Sequence, residues 1–238
     1  MTIRTVAQTG STNADMLALA VSGAPEGDWL CADRQVDGRG REGRSWISPP
    51  GNFHGSTLVR LRRGDPPAAT LALATAVAAW DAVAAPPDAV ALRTTMRIKW
   101  PNDLMIGAAK LAGMLLERAE NAVVIGIGVN LSHHPALPDR PTTSLAEHGA
   151  PIAPEAFAEL LAEIMARWVA RWRSEGLAPI RSAWLERAHP LGTALTVRLP
   201  RAEALDGLFD GLDPHGALVL RLAGGERRAI HAGDVFLL

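Results

Sequence analysis

Residues 38–43 read Gly-Arg-Gly-Arg-Glu-Gly. This is the G-x-G-x-x-G spacing with which a dinucleotide-binding unit turns from a strand into the helix that receives a pyrophosphate. The pattern has that meaning only if a helix follows. Here the next residues are Arg44-Ser45-Trp46-Ile47-Ser48-Pro49-Pro50, and the two prolines forbid such a helix. A Rossmann site is therefore excluded, and what remains is a glycine-jointed loop carrying Arg39, Arg41 and Arg44, offset by Glu42. Glycine lets backbone N–H groups come close to a ligand, and guanidinium forks match carboxylate and phosphate oxygens. The alternative is a solvated surface loop.

Around this loop the chain alternates between strand and helix patterns. Ser11-Thr12-Asn13 precedes the periodic apolar residues Met16, Leu17 and Ala20, with Gly23 beyond them, which predicts a helix capped by side-chain oxygens. Strands are expected near 28–32, 53–61, 96–100, 111–117 and 122–131, and helices over 68–85, 157–172 and 180–187. After His189-Pro190 the pattern changes to short strands at 194–199, 204–210, 217–221, 227–231 and 235–238, separated by Gly/Asp/Pro turns. That spacing suggests a small barrel or sandwich, with a domain boundary at about residue 189. A chain of 238 residues accommodates a main domain and a small one.

Composition narrows the function. Twenty-four basic against 25 acidic residues leave no overall pull toward DNA or an anionic membrane, so any cationic site is local. The single cysteine, Cys31, excludes an internal disulfide and a multi-cysteine zinc site and fits a reducing compartment. The first ten residues hold no signal-peptide core, and the alanine-rich stretch 68–85 is interrupted by Asp81. A buried helix and a cytoplasmic location are expected. Only two of the 24 basic residues are lysines, Lys99 and Lys110, both within KWPNDLMIGAAK. Where arginine fills positions that need only positive charge, a retained lysine points to a compact ammonium with a specific task.

That segment carries further chemistry. Lys99-Trp100-Pro101-Asn102-Asp103 ends a strand at proline; Asn102 can donate and accept together, and Asp103 can assist a metal or orient a lysine. Lys110 opens an alternating strand, where it either neutralises anionic charge or guards a sheet edge. In 124–131, Gly126 and Gly128 suggest a close approach by a ligand or another backbone. Asn130 in the same run is either a structural hydrogen bonder or a ligand reader. His133-His134 lacks metal-site spacing, and no metal ligand is assigned. There is no G-x-S-x-G elbow, P-loop or H-E-x-x-H.

Taken in order, Ser11-Thr12-Asn13, QVDGRGREGRSW at 35–46, Ser48-Pro49-Pro50-Gly51, KWPNDL at 99–104, Lys110-Leu111-Ala112-Gly113, IGIGVN at 125–130 and Thr143-Ser144-Leu145 resemble the biotin–protein ligase family. The tail, with Phe209, Gly211, Asp213, Gly216 and Ala232-Gly233-Asp234-Val235, is similar to its small C-terminal domain. The resemblance implies an α/β (α+β, mixed-sheet) catalytic domain like that of class II aminoacyl-tRNA synthetases, followed by an SH3-like β-barrel. It also implies two half-reactions: biotin and Mg-ATP give biotinyl-5′-AMP, and a lysine of a biotin carboxyl carrier domain then takes the biotin. Carried over by position, Ser11, Thr12, Asn13 and Gln35 belong to the biotin site, with the ureido ring on Ser11, Thr12 and Gln35. Gly38, Arg39, Gly40 and Arg41 would wrap the biotin tail and its phosphate, Lys110 would pair with carboxylate or phosphoryl oxygens, and Gly113 and Leu115 would line the slot. The adenylate side would take Arg39, Arg41, Arg44, Trp46, Asn102 and Asn130, and the catalytic charges would be Arg39, Arg41 and Lys110.

Joining two anions needs such charges, and a labile adenylate needs a flap that excludes water. The flap, residues 38–44, is expected to close near Asn102 and the two lysines, and to be poorly ordered without ligand. Glu42 stands where some members are basic and makes it less cationic. With Ser11 eleven residues from the start, no N-terminal DNA-binding domain is expected. Homodimerisation stays open, as does whether Trp168, Trp172 and Trp184 serve the core or a partner. Two rival readings remain: a lipoate or octanoate ligase of the same fold, and a non-catalytic biotin sensor.

Overall fold

The computed structural model describes residues 1–138, 140–199 and 204–237. Seven strands form the first sheet: β1 (Ile3–Thr9), β2 (Trp29–Gln35), β3 (Phe53–Arg60), β4 (Met96–Lys99), β5 (Asp103–Ile106), β6 (Ala109–Ala119) and β7 (Ala122–Val129). Their order is β1-β2-β3-β7-β6-β5-β4. The β1–β2 pair is parallel and the other pairs are antiparallel, so the sheet is mixed.

Alternation along the central strands divides the molecule into two layers. Phe53 and Val59 of β3, with Val123, Ile125, Ile127 and Val129 of β7, face the main core. That face is covered by α2 (Leu71–Ala84) and α3 (Pro154–Glu175). The many alanines of α2 are buried, and small side chains let it lie close to its neighbours. Phe157 of α3 meets Phe53 edge-on at 5.2 Å. On the opposite face, Leu58 and Val124 form a smaller cluster with Met16 and Ala20 of α1 (Thr12–Val21). Continuing along β7 past Val124, the positions on this second face are Gly126 and Gly128. Past Val124, β7 carries no side chain on this face, and the two glycines form a shallow slot in which Asn13 and Trp46 come close to the strand.

The remaining strands, β8 (Ala194–Arg198), β9 (Ala204–Leu212), β10 (Leu218–Arg221), β11 (Arg227–Ile230) and β12 (Asp234–Leu237), make an antiparallel sheet in the order β11-β10-β9-β8-β12. The last residue of the strand expected at 235–238 lies outside the described residues. This sheet is fastened to the first unit by α4 (Leu177–Arg187): Trp184 meets Phe209 at 6.3 Å, and Arg181 Nε donates to the Leu212 carbonyl at 2.8 Å. Trp168 and Trp172, on α3, also face inward, the first in part and the second fully. Trp172 is buried and donates to Thr70 Oγ1, and Trp168 donates to Asp81.

Two strands lack a corresponding sequence expectation, β1 and β5. β1 is an edge strand with only Ile3, Val6 and Thr9 partly buried, held by its backbone pairing to β2. β5 is four residues long and too short to show a period. The helix expected over 68–85 begins as a 3₁₀ turn at Ala68–Thr70 before α2 proper.

Candidate active site

The floor of the slot is two rows across adjacent strands. In register, His54 of β3 faces Gly128 of β7, which faces Gly113 of β6; one step along, Ser56 faces Gly126, which faces Leu115. The glycines are sterically required. A Cβ on Gly126 would stand 2.5 Å from Asn13 Oδ1, and one on Gly128 2.5 Å from the Trp46 indole. Trp46 lies against this floor with Lys110 Nζ 5.5 Å from its ring centroid, and its Nε1–H is buried without a partner among the described residues.

A polar wall closes one end at the start of α1. Ser11 caps the helix, accepting from the Ala14 N–H. Thr12 donates from its backbone N–H to Gln35 Oε1 at 2.8 Å, and its hydroxyl is 3.1 Å from the same oxygen and 2.8 Å from Ser56 Oγ. Gln35 Nε2 donates to Ser48 Oγ at 3.0 Å, so the Gln35 amide is fixed at both ends. Asn13 points another way: it accepts from Ser56 Oγ and donates to Glu117. Asn13 thus braces the wall. Ser11, Thr12 and Asn13 are all buried, and a buried polar group persists only when it is paired.

Residues 38–46 double back on themselves as a roof. Gly40 N–H donates to the Arg44 carbonyl at 2.7 Å and Trp46 N–H to the Gly38 carbonyl at 2.8 Å, with Glu42 and Gly43 at φ 56° and 70° making the bend. Gly38 has no room for a side chain, since a Cβ would lie 2.6 Å from the Trp46 carbonyl oxygen. Arg41 Nη1 reaches Asn102 Oδ1 at 3.5 Å, so the roof does close on Asn102. Arg41 and Arg44 also meet Asp234 of β12, at 3.4 and 2.6 Å. Arg39 does not converge with them: it pairs with Asp37 on the exposed side of the loop.

Both lysines meet at one carboxylate. Asp103 lies 2.6 Å from Lys110 Nζ and 3.5 Å from Lys99 Nζ. Burial opposes the charge of Asp103, but the two ammonium groups outweigh it and hold the carboxyl below the ordinary aspartate range. In this arrangement Asp103 orients both lysines. Asn102 donates to the Met114 carbonyl at 2.6 Å, and Asn130 Nδ2 donates to the Thr143 carbonyl at 3.0 Å, while Asn130 Oδ1 is buried and unpaired among the described residues. The amide of Asn130 is thus half structural, with one acceptor left over.

Four participants were missed by the sequence reading. His54 and Ser56 are polar residues two apart in a buried strand, a pattern that placed them on one face. His54 is buried, and burial lowers its imidazole pKa to about 4, so the ring is neutral. Glu117 carries no local signal, and Asp234 was legible only as part of the Ala232-Gly233-Asp234-Val235 segment, since each comes to the site only through pairing of distant strands.

A slot floored by glycine, walled by oriented amides and hydroxyls, and roofed by cations suits an enzyme that holds a flat polar ring and a nearby anion. Known proteins agree on the class. The Biotin/lipoate A/B protein ligase family matches residues 6–131, and the Biotin protein ligase C terminal domain matches residues 191–238. A biotin–[acetyl-CoA-carboxylase] ligase of Paracoccus denitrificans is 41% identical over 97% of this chain and 98% of its own. One from Mycobacterium tuberculosis is 38% identical over 97% of this chain and 86% of its own. The biotin protein ligase of Aquifex aeolicus, solved with biotin and ATP, superposes with a TM-score of 0.86 at 20% identity over 100% of this chain and 99% of that one. The chain belongs to the biotin/lipoate A/B protein ligase family, and its fold is that of the biotin protein ligases.

Proposed function

We propose that this chain is an ATP-dependent biotin–protein ligase, and that the slot described above is where biotin is activated. The carrying observation is the closure of the Arg41 loop on Asn102, beside a glycine-floored slot whose rim holds Lys110. In the first half-reaction a biotin carboxylate oxygen attacks the α-phosphorus of ATP. The bond to the leaving pyrophosphate breaks, giving biotinyl-5′-AMP. In the second, the amine of a carrier-domain lysine attacks the acyl carbon, AMP leaves, and an amide remains. No enzyme nucleophile is required.

The ureido ring is assigned to Ser11, Thr12 and Gln35: the Gln35 amide is already oriented by Ser48 and Thr12, the Thr12 hydroxyl by Ser56, and the Ser11 hydroxyl by the Ala14 N–H. Oriented groups need no reorganisation when the ligand arrives. Gly113 and Leu115 would line the slot for the bicyclic ring, next to Trp46, whose indole rests on Gly113 and Gly128. Gly38, Gly40 and Arg39 belong to the loop that wraps the tail. Arg41, Arg44 and Lys110 supply charge for the phosphoryl oxygens, while Trp46 and Asn130 offer unspent hydrogen-bonding capacity to the adenosine; Asn102, bonded to Arg41 and to the Met114 carbonyl, is assigned to the same side.

Mg²⁺ accompanies ATP in this reading. Among the described residues no cluster of three or more His, Cys, Asp and Glu side chains is placed to hold a metal ion. Asp103, the buried carboxylate of the site, already has both lysines, so no protein ligand is assigned to the ion. The partner is the biotin carboxyl carrier domain of a biotin-dependent carboxylase. The boundary between catalytic and C-terminal units is assigned to about residue 189, and the enzyme to the cytoplasm.

Incubation of a carrier domain with the chain, biotin, Mg²⁺ and ATP, followed by mass spectrometry, should show one biotinyl addition on a lysine. Pyrophosphate release measured separately with biotin and with lipoate should occur with biotin. Turnover with lipoate alone would instead select a lipoate ligase, and tight biotin binding without adenylate would select a sensor.

A further inference from the structure

The roof loop is tied to the C-terminal sheet. Arg41 donates to Asp234 Oδ1 at 3.4 Å and, through both terminal nitrogens, to the Gly233 carbonyl at 3.3 Å. Arg44 Nη2 donates to Asp234 Oδ2 at 2.6 Å. One carboxylate, at the first residue of β12, thus spans two guanidiniums of a loop 190 residues earlier in the chain. Gly233 packs closely on β8: a Cβ there would sit 2.8 Å from the Arg198 carbonyl oxygen. The carboxylate is only 24% exposed, and β12 is held in register on β8, with Asp234 opposite Arg198. The anchor is therefore part of a sheet, whereas the anchored segment is a loop bent through Glu42 and Gly43.

We propose that Asp234 is a positioning residue for adenylation: it holds Arg41 and Arg44 over the slot before ATP arrives, so that the nucleotide meets a roof already in place. This rests on the reading above, in which those two arginines serve the phosphoryl oxygens. The physical basis is entropic. A loop that has to be ordered by its ligand subtracts that ordering from the ligand's affinity, and a loop held in advance does not. A guanidinium has five N–H donors, so contact with Asp234 leaves others for phosphate. Arg41 also spans from Asp234 to Asn102, linking the C-terminal sheet to the strand-end segment that carries the lysines. The C-terminal unit then acts in the first half-reaction, through the roof, without touching the substrate.

The test compares Asp234→Asn and Asp234→Glu with the parent and with Arg41→Ala in pyrophosphate release under varied ATP. It also follows tryptic cleavage within residues 39–44 of the ligand-free chain and thermal melting as a check on folding. Asp234→Asn should raise KM for ATP about fivefold with kcat within twofold, the size expected when two partly exposed ion pairs are lost. Loop cleavage should accelerate, and Asp234→Glu should restore both. Added salt should accelerate loop cleavage in the parent and little in Asp234→Asn, because it screens the pairs that variant already lacks; this arm needs no variant more perturbed than a neutral isostere. Unchanged KM and cleavage in Asp234→Asn, or a fall in kcat alone, overturns the proposal while Arg41→Ala is impaired. Normal adenylation by Arg41→Ala overturns the underlying reading instead.

Discussion

Gly128→Ala adds a single methyl group to the floor of the slot, and the structure sets its consequence. The new carbon would stand 2.5 Å from two indole atoms of Trp46 and 2.8 Å from a third. Ordinary carbon contacts begin near ~3.5 Å, so the ring has to move by about 1 Å. It cannot move freely, because the backbone N–H of Trp46 is bonded to the Gly38 carbonyl and Lys110 lies over the ring. Overpacking a fixed neighbour costs about 1–3 kcal/mol. The backbone at Gly128 is extended and paired in β7, so glycine is not needed there for its conformation. With the obstacle gone, alanine should be favourable by about 0.4–1 kcal/mol through the unfolded chain. The expected result is a change of sign with background: Gly128→Ala destabilises the parent but is neutral or stabilising in Trp46→Ala. Urea denaturation of the four chains yields the coupling, expected at about 1.5–3 kcal/mol, and biotin KM should rise in Gly128→Ala alone. Equal effects of Gly128→Ala in the two backgrounds would refute the claim that Trp46 rests on this floor.

Three further outcomes are expected. Lys110→Ala should slow adenylation by about 2–4 kcal/mol of transition-state stabilisation, read as pyrophosphate release, since one charge stabiliser is lost from a closed site; a near-normal rate would remove Lys110 from its role. His54, neutral when folded with a pKa of about 4 against 6.5, takes up a proton on unfolding between those values, so stability should rise with pH across that window and fall on acidification. His54→Phe should flatten the urea midpoint between pH 4 and 6.5, by up to ~3 kcal/mol, and an unchanged slope would count against a neutral buried ring. In Asp234→Asn, whose loop is released, biotin with ATP should protect residues 38–44 from trypsin, and equal cleavage of that variant with and without them would argue against a roof over the adenylate.

Much of the site was legible because its residues come in short contiguous runs. The Ser11 cap, the glycine-arginine loop and the Lys99–Asp103 segment each announce their chemistry through residues a few positions apart, and local hydrogen bonds then realise them. The loop could be separated from a dinucleotide fold by Pro49 and Pro50 alone. Asn13 and Arg39 are instructive departures. Both sit inside matching motifs, yet Asn13 is turned toward Glu117 and Arg39 toward Asp37, because the nearest available partner decides where a flexible polar end points.

The sequence by itself determined which segments are helix or central strand, that a cationic loop replaces a phosphate-binding helix, and that at least one of two rare lysines has a specific task. Periodicity and proline stereochemistry act within a few residues, so they can be read along the chain. Tertiary structure alone decided that both lysines share Asp103, that His54 and Ser56 extend the glycine floor, and that Asp234 holds the loop from the far end of the chain. These contacts depend on strand register and on the packing of one sheet beside another, where a shift of one residue turns a side chain to the opposite face.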